Sequence, residues 1–261
     1  MIAGFFPPQL RPSAVLRGTS RVKNHVTGGK KCLDCNWIVF IGFKGPDFNR
    51  KDGLAALKRR FDEDPSELLI LLGPANCGKT KLLEEVKKDR ELGQAVIGDG
   101  PPPILYLDCR GKDISSPRQF ANAIRQLVTK DTVFCKWWQA VNLKFPNIEV
   151  DMRKLFEPAD DAAPMESIID SLTTFLEATR PLPYKPVIII DEANKLMRWS
   201  DDPGHKELKN LLDFFVKTTK QAHLGHIVLA SSEYFLIDFL EYEGLHTKHY
   251  ITQAVGDLAM R

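Results

Sequence analysis

Eight consecutive residues, Gly73-Pro74-Ala75-Asn76-Cys77-Gly78-Lys79-Thr80, constrain the fold of this 261-residue chain more than any other segment. They match the pattern GxxxxGK[ST] and lie between an apolar run, Leu68–Leu72, and an amphipathic segment, residues 79–88. Glycines let the backbone turn its N–H groups toward a phosphate chain, and a helix that starts there presents further N–H groups to the same anion. The pattern therefore predicts a strand, a phosphate-binding loop and a helix, in that order.

The residue types in the loop define the candidate ligand contacts. Lys79 is expected to reach the β- and γ-phosphates, and Thr80 to place its hydroxyl on Mg²⁺. Cys77 needs no redox role, because its position contributes mainly backbone. The predicted nucleotide-binding residues are those of the loop and the residue after it: Gly73, Pro74, Ala75, Asn76, Cys77, Gly78, Lys79, Thr80 and Lys81.

A second motif consists of four branched apolar residues from Val187 onward that end in two carboxylates, Asp191 and Glu192. Because the carboxyl ends of parallel strands line one edge of a sheet, Asp191 is expected beside the loop, as the second Mg²⁺ ligand with Thr80. Glu192 is predicted to orient or deprotonate a water molecule. A lone acidic pair at a strand end is usually only solvated, so the prediction depends on the presence of the loop.

A third candidate segment is the apolar run at residues 226–230, which ends in polar residues. Either Ser231 or Ser232 could hydrogen-bond the attacking water or the γ-phosphate. Serines after a strand are also common turn formers, which is the alternative interpretation. The predicted catalytic residues are Glu192, Lys79, Ser231 and Ser232.

Apolar runs alternate with helical periodicities along the rest of the chain. Further strands are predicted at residues 104–107 and 250–252, and helices around residues 54–61, 120–128, 168–178 and 208–215. This alternation predicts an α/β fold with βαβ units, a parallel sheet and right-handed crossovers. Residues 131–165 mix aromatic residues and prolines without a sustained period, and we predict an irregular insertion there.

The first 33 residues carry six basic residues and no acidic one. This composition is typical of an organelle transit peptide, but sparse serine and three early prolines fit a disordered basic tail equally well. We therefore predict a tail or transit peptide at residues 1–36 and one domain at 37–261. The expected location is intracellular: mitochondrion or chloroplast if the segment is a transit peptide, and otherwise cytoplasm.

Charge and cysteine content exclude several classes of protein. Residues 34–261 hold 30 Lys and Arg (36 − 6) against 34 Asp and Glu, so no nucleic-acid footprint is predicted. No apolar run approaches the roughly 20 residues of a transmembrane helix. Five irregularly spaced cysteines favour a reducing compartment. No metal site is predicted at the isolated CxxC or at two HxxH pairs: Cys32/Cys35, His223/His226 and His246/His249.

Together the three motifs resemble the AAA+ and STAND group of P-loop ATPases, in particular the archaeal-type ATPase domain. The resemblance lies in residues 73–80 (Walker A), 188–192 (Walker B) and 229–232 (the sensor-1 strand), and the surrounding segments look close to eukaryotic members. It covers the chain from about residue 38 onward. It implies a three-layer α/β/α sandwich with a mostly parallel sheet of order 5-1-4-3-2, and an adenine pocket near residues 40–50.

The resemblance also implies a function, with ATP and Mg²⁺ as cofactors. The leading hypothesis is an ATPase that couples Mg²⁺-ATP binding and hydrolysis to conformational change, and its partner would be another protein or a second copy of the chain. The alternative is a non-catalytic, nucleotide-gated interaction or signalling module. Family members have a helical lid with a sensor-2 arginine after the fifth strand, and no counterpart is recognised before Arg261. No arginine is placed convincingly as a finger: Arg198 follows Walker B, but a surface residue there is an equally good interpretation.

Overall fold

The computed structural model describes residues 38–40, 49–92, 100–144, 150–157, 164–199 and 204–256. The chain divides into two compact units, Met1–Cys35 and Asn36–Arg261, and every described residue lies in the second. The basic N-terminal segment, the CxxC pair and most of the expected adenine pocket therefore lie outside the described residues. None of the helices in the described ranges is long and apolar enough to cross a bilayer.

The strands form one sheet whose order is β1-β6-β2-β5-β4-β3, and every pairing in it is parallel. The strands are β1 (Ile38–Phe40), β2 (Leu68–Leu72), β3 (Leu105–Asp108), β4 (Val187–Asp191), β5 (His226–Ser231) and β6 (Tyr250–Ala254). In the predicted order 5-1-4-3-2, strand 1 is β2 and strand 5 is β6. The order therefore corresponds to β6-β2-β5-β4-β3, and it is confirmed. The additional strand β1 extends the sheet beyond β6, with Ile38 opposite Thr252.

Helices connect the strands and cover both faces of the sheet. They are α1 (Asn49–Asp62), α2 (Lys79–Leu92), α3 (Pro117–Lys130), α4 (Thr132–Lys144), α5 (Met152–Leu155), α6 (Pro164–Ala178), α7 (Gly204–Val216) and α8 (Leu236–Tyr242). A 3₁₀ segment at Ala193–Trp199 follows β4, and a π-helical turn at Lys217–Gln221 follows α7. Local chemistry fixes the start of α3, because Ser116 accepts the backbone N–H of Gln119 and Pro117 occupies the first helical position.

Alternate residues of each central strand pack into different cores, as a sheet covered on both faces requires. In β2, Ile70 packs in the cluster that includes α3, α4, α6 and α7, whereas Leu69 and Leu71 pack in the cluster with α1 and α2. All five residues of β2 and all five of β4 are buried. The predicted three-layer α/β/α architecture is confirmed.

The segment predicted as an irregular insertion, residues 131–165, contains the regular helix α4 and the short helix α5. The Asp131 carboxylate starts α4 by accepting the backbone N–H groups of Val133 and Phe134. Trp137 and Trp138 are both buried, and the Trp138 ring lies 5.4 Å from that of Phe175 on α6. Adjacent aromatic residues that are both buried leave no single apolar stripe, which is why no helical period was recognised.

The imidazole of His226, the first residue of β5, is buried in the core and only 3% exposed. Its Nε2 lies 3.1 Å from the carbonyl oxygen of Glu63, and its ring packs against Phe61. Burial, reinforced by the charges of Arg60 and Arg90, lowers the pKa of His226 to about 3. The imidazole is therefore neutral at physiological pH, and its Nε2–H donates to the carbonyl.

We expect His226 to make the fold sensitive to acid between pH 6.5 and pH 3. The unfolded chain binds a proton there with the ordinary histidine pKa of about 6.5, and the folded chain does not, so stability is lost as the pH falls. At pH 5 the loss amounts to about 2 kcal/mol. Since His226→Gln keeps an N–H donor and does not titrate, its urea midpoint should fall less between pH 7.5 and pH 5 than that of wild type.

The exposed residue Lys88 provides the control, because Lys88→Gln introduces the same side chain at the surface and removes no histidine. This variant should lose as much stability on acidification as wild type. An equal loss in His226→Gln and wild type would contradict the role assigned to His226.

Candidate functional site

The carboxyl edge of the sheet brings the three predicted motifs together. The strand register sets Leu72 opposite Ser231, and Asp191 opposite Asp108. The phosphate loop leaves β2 at this edge, and the acidic pair leaves β4 at the same edge, with β5 between them. Segments that are far apart in sequence therefore meet in one row of strand ends.

The loop after β2 turns through two residues with positive φ, Asn76 at 64° and Gly78 at 94°. Gly73 is required by a close approach, because a Cβ there would lie 2.0 Å from the carbonyl oxygen of Val255. Helix α2 begins at Lys79 and has no acidic side chain in its first turn. Its N-terminal dipole therefore favours an anion at the loop.

Lys79 is only 5% exposed, and its ammonium lies against the loop. Its Nζ donates to the carbonyl oxygens of Gly73 and Pro74, at 2.6 and 2.9 Å, and lies 3.7 Å from the Cys77 sulfur. Among the other predicted nucleotide contacts, three loop residues and one residue of α2 are exposed: Pro74, Ala75, Asn76 and Lys81. The loop thus combines the positive charge of Lys79 with exposed residues that a ligand can reach.

Thr80 and Asp191, the two predicted metal ligands, are in direct contact. The Thr80 hydroxyl donates to Asp191 Oδ2 at 2.7 Å, and Asp191 Oδ1 accepts the backbone N–H of Glu192 at 3.0 Å. Adjacent oxygens around an octahedral Mg²⁺ with 2.0–2.1 Å bonds are about 3 Å apart. The spacing and the all-oxygen chemistry of this pair fit a shared Mg²⁺ ion.

Two side chains at this edge were not predicted, Tyr106 and Arg110. The Tyr106 hydroxyl donates to Asp191 Oδ2 at 2.7 Å, and Arg110 Nη2 lies 3.8 Å from the same oxygen. Both nitrogens of the Arg110 fork, Nε and Nη2, also bond to Asp108 at 3.1 Å. Burial and the hydrogen bond to Asp191 raise the pKa of Tyr106, so its oxygen keeps its proton. The predicted neighbouring strands at this edge could have pointed to both residues.

Glu192 adopts a left-handed backbone conformation with φ 58° and is half-buried. Its Oε2 accepts a hydrogen bond from the Ser232 hydroxyl at 3.4 Å. The Ser231 hydroxyl is instead fully buried and accepts the backbone N–H of Glu233 at 2.9 Å, which turns the chain after β5. Of the two predicted serines, Ser232 contacts the acidic motif and Ser231 has the turn-forming role.

Known proteins resemble this chain in sequence and in fold. A family model described as an ATPase domain predominantly from Archaea matches residues 48–258. Two uncharacterized ATP-binding proteins of Methanocaldococcus jannaschii are 25% and 27% identical to the chain over 191 and 208 residues. These alignments cover 73% and 74% of this chain and 53% and 52% of theirs, so the chain spans about half the length of the curated relatives it matches.

The solved structure of a Walker-type ATPase from Pyrococcus abyssi superposes with a TM-score of 0.54 at 18% identity. The superposition covers 82% of this chain and 55% of that one, and it shows a common fold. The resemblance predicted from the three motifs is confirmed, and the chain belongs to the family of ATPase domains found predominantly in Archaea.

Proposed function

We propose that this domain binds ATP with Mg²⁺ and hydrolyses it, and that the reaction changes the conformation at the carboxyl edge of the sheet. The observation that carries the proposal is the 2.7 Å contact between Thr80 and Asp191, which joins the phosphate loop to the acidic strand end. A glycine-rich turn alone, or an acidic strand end alone, would be a common structural feature. Their contact creates a site for a metal-bound triphosphate.

Binding is proposed to rest on the loop and the start of α2. Backbone N–H groups at the helix N-terminus would face the phosphates, and Lys79 would exchange the carbonyl oxygens of Gly73 and Pro74 for phosphate oxygens. Thr80 and Asp191 would hold the Mg²⁺ ion. The bound ion would offset negative charge on the triphosphate and on the transition state.

Hydrolysis is proposed to use Glu192 as the base. Its carboxylate directly follows the proposed metal ligand Asp191, and the Ser232 hydroxyl contacts its Oε2. A carboxylate in this position can orient a water molecule toward the γ-phosphate and accept its proton. Ser232 would restrict the rotation of the Glu192 carboxylate.

Coupling to conformation is supported by the segment that follows β6. The Val255 N–H donates to the carbonyl oxygen of Leu72 at 2.6 Å, immediately before the loop. A Cβ on Gly256 would lie 2.9 Å from Cys77 Cβ, so this segment packs closely on the loop. A rearrangement of the loop on nucleotide exchange would therefore displace residues 255–256.

Glu192→Gln should lower ATP turnover by about 10² to 10⁴-fold and retain ATP binding, because it removes the proton acceptor and keeps the shape. Phosphate release and titration with a fluorescent ATP analogue measure the two properties. Glu233→Gln, which changes a nearby carboxylate without a proposed role, should leave both unchanged. Turnover that persists in Glu192→Gln would contradict the proposed base, and a wild type that binds ATP without turnover would favour a nucleotide-gated interaction module.

Lys79→Ala should weaken binding of the fluorescent ATP analogue by about 10 to 100-fold, the value of a hydrogen-bonded charge. The control is Lys88→Ala, which removes an exposed lysine from the same helix. Equal affinities of Lys79→Ala and Lys88→Ala would contradict the assignment of the phosphate site.

The left-handed conformation of Glu192 has a cost of order 1 kcal/mol, which glycine does not incur. Glu192→Gly should therefore raise the free energy of unfolding by up to about 1 kcal/mol, although it removes the proposed base. Glu84→Gly, in the exposed middle of α2, should lower it by about 1 kcal/mol. Urea unfolding measures both, and losses of the same size in the two variants would argue against strain at residue 192.

A further inference from the structure

The Asp191 carboxylate is held from several sides at the edge of the sheet. Oδ1 accepts the backbone N–H of Glu192, and Oδ2 accepts the hydroxyl groups of Thr80 and Tyr106, both at 2.7 Å. Asp191 is 0% exposed, so these hydrogen bonds replace the water that an exposed carboxylate would have. The orientation of this carboxylate is therefore set by its neighbours.

Tyr106 approaches Asp191 from a different direction than Thr80. Thr80 belongs to α2 and to the proposed ion site, whereas Tyr106 lies on β3, where the register pairs it with Ile189 of β4. A half-buried ring on a paired strand has little freedom, so its hydroxyl is a fixed donor. Tyr106 thus contacts Oδ2 from outside the proposed ligand pair, Thr80 and Asp191.

The Arg110 guanidinium attracts Asp191 Oδ2 and so opposes the hydrogen bond that Tyr106 donates to this oxygen. Arg110 Nη2 is 3.8 Å from Asp191 Oδ2, close enough for an ion pair but too far for a hydrogen bond, and the guanidinium is hydrogen-bonded to Asp108. If the Tyr106 hydroxyl were removed, Oδ2 would lose one donor and could turn toward the guanidinium. The ion pair would then shorten to a hydrogen-bonded one and compete more strongly with a cation for the same carboxylate.

We infer that Tyr106 is a positioning residue for the divalent cation, which holds the Asp191 carboxylate toward Thr80 and away from Arg110. This inference rests on the proposed function, since it concerns the metal half of the same site. Residues that hydrogen-bond a metal ligand typically contribute 10 to 100-fold to metal affinity. The effect should therefore appear in the dependence on Mg²⁺ and not in nucleotide binding itself.

The test is a Mg²⁺ titration at a fixed concentration of a fluorescent ATP analogue, together with a nucleotide titration in EDTA. Tyr106→Phe should raise the Mg²⁺ concentration at half-saturation about tenfold and leave the affinity in EDTA unchanged. Direct binding of Mn²⁺ in the presence of ATP, followed by electron paramagnetic resonance, should weaken by the same factor. Neither measurement depends on turnover.

Tyr250→Phe is the matched control, because the Tyr250 hydroxyl also donates to a carboxylate, Glu241 Oε1 at 2.6 Å, away from the site. It removes the same kind of hydrogen bond and should leave the Mg²⁺ midpoint unchanged. In the double variant Tyr106→Phe/Arg110→Ala the competing cation is absent, and the midpoint should return toward that of wild type.

The outcomes separate the inference from the proposed function. If wild type binds the nucleotide with a clear Mg²⁺ dependence and Tyr106→Phe has the same midpoint, the inference is overturned and the proposed function stands. A Tyr106→Phe variant that loses affinity equally in EDTA and in Mg²⁺ also overturns it, since its effect would be structural. A wild type without Mg²⁺-dependent nucleotide binding overturns the proposed function itself.

Discussion

The hydrogen bond between Thr80 and Asp191 is the interaction on which the organisation of this domain depends. It joins the first turn of α2 to the end of β4 across 111 residues of sequence, and β5 lies between the two parent strands. Such a contact forms only if β2 and β4 are parallel and end at the same edge. The helices on both faces and the crossovers between the strands establish that condition.

The same contact makes the buried charge of Asp191 tolerable. A carboxylate removed from water is costly unless hydrogen-bond donors surround it, and here donors come from α2, from β3 and from the backbone N–H of Glu192. Three elements, α2, β3 and β4, therefore meet at the Asp191 side chain. A small shift of any of them would change the surroundings of Asp191, so the proposed metal site would be sensitive to packing.

Much of the architecture could be predicted from the sequence because its central strands are fully buried. The continuous apolar runs at residues 68–72 and 187–190 are too short for helices between their flanking residues, and the GxxxxGK[ST] pattern predicted the first connection. The strand order came from the resemblance to a known family. Helix α4 was not predicted, because Trp137 and Trp138 are both buried. A helix that is buried on more than one side has no single apolar face in its sequence pattern.

The candidate site was less predictable than the fold, since its details are set by side-chain direction. The sequence offered Ser231 and Ser232 equally, and only the turn after β5 decides which of them contacts Glu192. Tyr106 belongs to none of the three motifs, and the only pointer to it is its place on a strand predicted to neighbour that of Asp191.

The packing of Val255 on Gly73 gives a second reason why the first residue of the loop must be glycine. That glycine is usually explained by the approach of a phosphate, yet here the carbonyl oxygen of Val255 already leaves no space for even a methyl group. An alanine at this position would force the loop and the segment after β6 apart. The first glycine of the motif therefore also allows the segments after β2 and β6 to pack together. Backbone geometry, as well as ligand chemistry, limits which residues this position tolerates.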